Sequence, residues 1–343
     1  MIKNKRLMAA GLAAALVLAA CGDDDDSGDS GTRVGLAFDT GGRGDGTFND
    51  AAGRGADRAE TELGVTVVEL EAATADDRQP NLETLTDDGI EVVVANGFAF
   101  GDGVAAVAAA NPETHYAITD GFIPDAPANV THLAFAEHEG SFLVGAAAAL
   151  ACDCDSIGFI GGQEIDLIKK FEAGYTAGAE HINPNMVVNV QYLGAAGDNA
   201  AWGSPDKAKE IANSWYADGV EVIYSAAGGS GQGTIEAATE SDTWAIGVDS
   251  DSYLTATEDQ QPHILTSMLK RVDVAVFDVY SKFLGDTLAS SSDATGGFFT
   301  YDLKVDGVGY STSGGFLADY VDQLEEIKAE IIAGTITVPD SVG

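Results

Sequence analysis

Two α/β lobes, each a doubly wound parallel sheet, are what this sequence predicts, and three observations carry the prediction. Short apolar segments alternate with helix-patterned ones in units of roughly 20–30 residues, the βα rhythm of a parallel sheet. Ile90–Ala95 (IEVVVA) and Val220–Ser225 (VEVIYS) are nearly continuous apolar runs, as expected of strands covered on both faces. The alternation runs once from Arg33 and again from Ile157 in a chain of 343 residues, which suits two units of ~100–200 residues.

Arg33–Phe38 (RVGLAF) predicts the first strand, and Phe48–Leu63, with apolar or small residues at helical spacing, the first helix. Strand Val65–Leu70, helix Pro80–Asp88, strand Ile90–Ala95, the small-residue helix Phe100–Ala110 and strands His115–Thr119 and Val130–Phe135 complete the first pass, and helix His138–Ala151 follows. The second pass predicts strand Ile157–Ile160 and helix Asp166–Ile182, with Phe171, Tyr175, Gly178 and Ile182 on one face. Strand Val187–Tyr192 precedes helix Pro205–Ala217, which opens with Ser204 as N-cap and proline at N1. Strand Val220–Ser225, helix Gly231–Glu240, strands Trp244–Val248 and Ile264–Met268 and helix Val272–Leu284 follow. The chain closes with strands near Phe298–Lys304 and Val308–Tyr310 and helix Leu317–Ile332.

The N-terminus does not belong to this pattern. Lys3, Lys5 and Arg6 precede an apolar stretch from Leu7 to Ala20 that is too short to span a ~30 Å hydrocarbon core and fits a signal h-region. Its end, Leu18-Ala19-Ala20-Cys21, resembles the bacterial lipobox, which makes Cys21 the expected lipidation site and residues 1–20 a lipoprotein signal peptide. Residues 21–32, with four consecutive aspartates among Gly and Ser, read as an acidic flexible tether. A calcium loop would need spaced aspartates and a glutamate at the twelfth position, which this run lacks. Acids outnumber bases 55 to 17, for a net charge of −38. Phosphate backbones need a basic face, so nucleic acid is not an expected partner.

Open α/β sheets bind ligands beyond the carboxyl ends of their strands. The residues that follow predicted strands are therefore the candidates: Asp39 to Asn49, Asn96-Gly97-Phe98, Asp120-Gly121, Gly161-Gly162, Ala227-Gly228-Gly229 and Asp249-Ser250-Asp251. Phe98 reads as core rather than cleft. Enzyme signatures fail among them. Gly42-Arg43-Gly44-Asp45-Gly46-Thr47 lacks the last glycine of a dinucleotide fingerprint, and no P-loop exists. Gly228-Gly229-Ser230-Gly231-Gln232 falls short of a nucleophile elbow. The five histidines show no metal spacing, and Asp249 to Gln260 lacks the glycine and glutamate of a calcium loop. No catalytic residue, metal or cofactor is expected. Cys152-Asp153-Cys154 has neither zinc nor Cys-x-x-Cys spacing and reads as loop decoration, its oxidation left open.

Phe38-Asp39-Thr40-Gly41-Gly42-Arg43-Gly44-Asp45-Gly46-Thr47-Phe48-Asn49 resembles the opening motif of the basic membrane protein family, the purine nucleoside receptor type of substrate-binding lipoprotein, with Thr47 in place of a serine. Further motifs follow in the family's order: Glu139-Gly140-Ser141-Phe142-Leu143-Val144-Gly145, Ile157 to Gly162, Phe171 to Gly178, Ala226 to Gly231, Ile246 to Asp251 and Thr266 to Arg271. One departure stands out: Trp202 occupies the place of a family phenylalanine before Pro205-Asp206-Lys207-Ala208-Lys209, after a few extra residues at 197–201.

The resemblance implies a type I periplasmic-binding-protein fold, with two lobes joined by crossover strands around a ligand cleft. Residues 33–135 and about 271–300 would form lobe 1, and about 136–270 with part of 301–343 lobe 2. It implies a lipid-anchored extracytoplasmic protein that captures a nucleoside, purine by the family's habit, for an ABC permease. Phe48 and Trp202 would sandwich the base from opposite lobes, and Asp45 and Asn49 would meet its edge. Asp249, Asp120 and Lys270 would hold the ribose, and Gly228 and Gly229 would admit ligand to the backbone. The alternatives are a receptor for another small polar ligand such as a sugar, an exported nucleoside-cleaving enzyme, or a surface interaction protein.

Overall fold

A computed structural model describes residues 31–290 and 297–343. The expected signal peptide, most of the expected tether and Cys21 lie outside the described residues.

The first sheet is built from β1 (Arg33–Phe38), β2 (Thr66–Glu71), β3 (Val92–Asn96), β4 (His115–Thr119) and β5 (Val130–Phe135), with a late strand, β11 (Phe298–Tyr301), added at its edge. The order is β11-β5-β4-β3-β1-β2 and every pairing is parallel. Helices α1 (Phe48–Leu63), α2 (Arg78–Asp87) and α3 (Gly101–Ala110) connect its first strands. Because β1 lies between β2 and β3, the chain reverses direction across the sheet there, which opens a crevice beyond the carboxyl ends of β1 and β3.

The second sheet repeats the plan. It comprises β6 (Ser156–Glu164), β7 (Val187–Ala195), β8 (Val222–Ala226), β9 (Trp244–Asp249), β10 (Ile264–Lys270) and β12 (Val308–Tyr310), in the order β12-β10-β9-β8-β6-β7. Only the β10–β12 pair is antiparallel among the described strands. Its helices are α4 (Glu137–Ala151), α5 (Asp166–Ile182), α6 (Pro205–Ala217), α7 (Gly231–Ser241) and the single turn α8 (Ser252–Thr255). α4 and α5 pack closely because glycines face backbone: a Cβ at Gly145 would lie 2.1 Å from the Tyr175 carbonyl oxygen, and one at Gly178 2.0 Å from that of Phe142.

The chain passes between the sheets three times among the described residues. It leaves β5 for α4, which packs on α5, β10 and β12, and it leaves β10 for α9 (Val272–Leu284), which packs on α1. It then leaves β11 for β12 and ends in α10 (Val321–Ile332). The three crossings run side by side: Ala136 N–H donates to the Tyr301 carbonyl (3.0 Å) and Arg271 N–H to that of Gly307 (2.9 Å). Large buried side chains, such as Phe38 on β1 and Phe159 on β6, fill the cores.

Several local expectations change. The strand expected from Ile157 to Ile160 runs on to Glu164, so Gly161 and Gly162 lie inside β6 rather than after it. The segment Phe298–Lys304 stays extended only to Tyr301; Asp302 then caps a short turn by accepting from the Lys304 and Val305 N–H groups. The last helix starts at Val321, not Leu317. Ser204 occupies the N-cap position of α6, but its hydroxyl donates to the Ala200 carbonyl (2.6 Å) instead of capping the helix. Cys152 and Cys154 are joined in a disulfide at the end of α4.

Candidate functional site

A cavity of about 250 Å³ lies where the crevices of the two sheets face each other. Its wall comes from the loop after β1, the turns after β3, β4, β8 and β9, the end of β10, the start of α5 and the short helix before α6. All nine residues singled out in the sequence line it: Asp45, Phe48, Asn49, Asp120, Trp202, Gly228, Gly229, Asp249 and Lys270.

The glycine-rich loop after β1 takes its shape from carboxylates. Asp45 accepts the backbone N–H groups of Thr47 and Asn49 at 2.8 Å and of Asp50 at 3.1 Å, which satisfies donors that the start of α1 leaves open. Burial pushes the Asp45 carboxyl upward, and those three N–H groups pull part of the shift back. Asp50 in turn accepts from Gly44 and Gly46, both at positive φ. Arg43 fastens the outer side of the loop to Asp57 (2.8 Å) and Glu69 (2.5 Å). The Asn49 side chain is oriented from below: buried Asn96, at the end of β3, donates its Nδ2 to Asn49 Oδ1 at 3.0 Å.

Buried acids and one ammonium form another part of the wall. Asp120 and Asp249 each end a strand in the left-handed region, at φ 62° and 64°. Aspartate tolerates this conformation better than most residues, because its short polar side chain bonds locally. Between them the Lys270 ammonium is 2.7 Å from Asp120 Oδ2 and 3.1 Å from Glu137 Oε1, all three side chains nearly sealed from solvent. The rings of Phe135, Phe48 and Phe171 stand 5.0–5.4 Å from the same ammonium, within reach of its charge. Burial raises the Asp249 carboxyl to about 7 and the Asp120 carboxyl to about 6, with Lys270 opposing both shifts. For Lys270, burial alone favours the neutral amine, but Asp120, Glu137 and Asp249 together outweigh it and hold the ammonium charged.

Trp202 lines the wall from the second lobe. It lies over β6, where a Cβ on Gly162 would come 2.2 Å from the indole; that glycine is a seat for the ring and not a ligand contact. Gly229 lets the Trp202 carbonyl approach, and Ser230 anchors the segment by accepting the Ser204 N–H and donating to the Ala201 carbonyl. Trp202 meets Phe98 edge-on, ring centres 6.4 Å apart. Phe98 therefore belongs to the cavity and not to the core, contrary to the expectation from sequence.

Other lining residues escaped the sequence reading. Leu167, Ile168 and Phe171 come from the first turns of α5, and Asn199 from the extra segment before Trp202. Phe171 carried only the signal of a helix face, which does not distinguish core from cleft. Glu137 stands behind the wall; its neighbour Ala136 forms part of a crossing, which is how a residue so far from Lys270 in sequence reaches it.

Among the described residues, the cavity wall carries four carboxylates, Asp39, Asp45, Asp120 and Asp249, against one ammonium. Such a wall accepts hydrogen bonds and repels anions, while Phe48, Phe98, Phe171 and Trp202 offer flat apolar faces. Among the described residues no group of acids, histidines or cysteines is arranged to hold a metal, and no helix is long and apolar enough to cross a membrane.

Two parallel α/β lobes meeting around a cavity at both switch points define a substrate-binding protein of the periplasmic-binding fold. The chain belongs to the family of PnrA-like ABC transporter substrate-binding proteins, Bmp, which it matches over residues 32–342. A CD4+ T-cell-stimulating antigen of Listeria innocua is 34% identical, covering 96% of each chain. The ABC transporter nucleoside-binding protein BmpA of Lactococcus lactis is 33% identical, again over 96% of each. Among solved structures, an ABC transporter solute-binding protein from Aeropyrum pernix K1 superposes with a TM-score of 0.75 at 27% identity, covering 90% of this chain and 93% of that one. A protein of this class works outside the cytoplasm, where it hands a small molecule to a permease.

Proposed function

We propose that this protein captures a nucleoside, preferentially a purine nucleoside, and delivers it to its ABC permease from a lipid anchor on Cys21, without transforming it. The observation that carries the reading is one cavity whose wall joins flat aromatic faces, Asn49 and Asp45 with buried Asp120, Asp249 and Lys270. A base fits by stacking on the aromatic faces and by edge contacts. A ribose fits beside the charged groups, because its hydroxyls donate to carboxylates and its oxygens accept from the ammonium. The nucleoside-binding relative supports the same reading. A nucleotide is disfavoured, since its phosphate would add charge beside carboxylates.

Calorimetry of guanosine, guanine and guanosine monophosphate on wild type and Asp249→Ala tests it. Charge-assisted hydrogen bonds contribute ~1.5–3 kcal/mol each, so guanosine should bind at least about a hundredfold better than guanine. Asp249→Ala should abolish most of that advantage and leave guanine unaffected. Equal binding of base and nucleoside by wild type would remove the ribose role, and recovery of free base after incubation with guanosine would make the protein an enzyme.

A further inference from the structure

We infer that Ser250 is a positioning residue that latches the two lobes beside the cavity, so that Asp249 and Phe48 reach a bound molecule together. Ser250 follows β9 in the second sheet and is 4% exposed. Its hydroxyl donates to the Thr47 carbonyl at 2.7 Å, in the residue before α1 of the first lobe. It also accepts from Arg54 Nη2 at 2.9 Å, about two turns along in α1. A single buried hydroxyl thus uses donor and acceptor capacity on one helix of the opposite lobe, though 203 residues separate it from Thr47.

The neighbours of Ser250 show how the latch acts on the site. Asp249 turns its carboxylate to the cavity from a tight left-handed turn that the Ser250 N–H closes onto the Val248 carbonyl (2.7 Å). Asp251 ties the turn down within its own lobe, accepting from the hydroxyls of Ser311 and Ser313 at 2.6 Å and from the Tyr253 N–H. Three consecutive residues therefore face the cavity, the other lobe and their own lobe. On the far side, Thr47 is the residue immediately before Phe48. Separation of the lobes would break both Ser250 bonds at once and draw Asp249 away from Phe48. The glycine-rich loop also approaches α7 here: a Cβ at Gly46 would stand 3.6 Å from Gln232 Nε2.

The test uses the full chain with Ser250→Ala, and with Arg54→Ala on the exposed side of the same contact. Guanosine dissociation is followed by stopped flow, lobe separation by small-angle X-ray scattering and stability by thermal unfolding. Loss of one or two hydrogen bonds that exist only with the lobes together should speed dissociation about tenfold. Association and melting temperature should hardly change, and the ligand-free radius of gyration should increase. A residue that merely supported the fold would lower the melting temperature without selecting dissociation. Wild-type dissociation rates and an unchanged radius of gyration in both variants would overturn the latch. If wild type binds no guanosine, the nucleoside reading falls, and the ligand-free scattering alone decides the latch.

Discussion

The Lys270 ammonium and the Asp120 carboxylate meet at 2.7 Å from opposite lobes, Lys270 at the end of β10 and Asp120 just after β4. The pair joins the lobes beside their crossings and lines the cavity. Glu137, from the first crossing, adds a second carboxylate at 3.1 Å, so one cation serves several buried anions.

Removal of that cation should therefore be costly. Lys270→Met leaves Asp120, Glu137 and Asp249 buried without their counter-charge, and breaking a buried pair costs ~3–5 kcal/mol. Urea unfolding at pH 8 should show a loss of this size, and acidification to pH 5 should recover part of it by protonating Asp120 and Asp249. A variant as stable as wild type at pH 8 would mean that the ammonium is not what balances the cluster.

The raised carboxyls give stability a definite pH slope. Asp249 titrates at about 7 in the folded protein, against ~3.9 in an unfolded chain. Between those values the folded state binds more protons, so this group's contribution is fully present below pH ~4 and is lost as pH rises through 7. Asp120 behaves likewise with its upper limit at about 6. Asp249→Asn should therefore gain on wild type by a few kcal/mol between pH ~4 and 8, measured by denaturant midpoints. Ribose hydroxyls favour the ionised carboxylate, so guanosine binding at pH 6.5 should release protons, seen as buffer-dependent heats. A parallel pH profile for Asp249→Asn and wild type would count against the raised carboxyl.

Trp202 and its seat should fail together. Trp202→Ala removes a stacking face worth ~1–3 kcal/mol, a roughly 5–150-fold loss of guanosine affinity. Gly162→Ala should cause a loss of the same order although Gly162 does not line the cavity, because the new methyl carbon would lie 2.2 Å from the indole and displace it. Titration by intrinsic fluorescence measures both. Wild-type affinity in Trp202→Ala would take the residue out of the binding site.

On the proposed lipid anchor, Cys21→Ser should release the folded mature protein from membranes, because it lacks the thiol that would carry the acyl group. Membrane fractionation reads the result, and an unchanged membrane fraction would show that another element holds the protein.

Helix and strand placement was legible because burial leaves a period in the sequence. β1, α1, β4, β5, α5, α6, α9 and β12 fall on the residues that the pattern marks. Two of the misreadings have a tertiary cause. Gly161 and Gly162 read as a turn, but tertiary contact decides them: Tyr192 and Trp202 occupy the space that side chains there would take. Phe98 read as core because hydrophobicity reports exclusion from water and not whether a protein wall or a cavity does the excluding.

The sequence by itself determined the two repeated α/β halves and the strand ends from which Asp39–Asn49, Asp120, Gly228, Asp249 and Lys270 emerge, because periodicity and turn residues are local properties. Only the tertiary structure decided what those residues meet. Glu137 reaches Lys270, Asn96 orients Asn49, and Ser250 bridges to Thr47 and Arg54, across chain separations of 47 to 203 residues. Charge and hydrogen-bonding capacity are carried by a side chain wherever it sits, but their energy depends on distance and on the exclusion of water, and both arise when the two lobes come together.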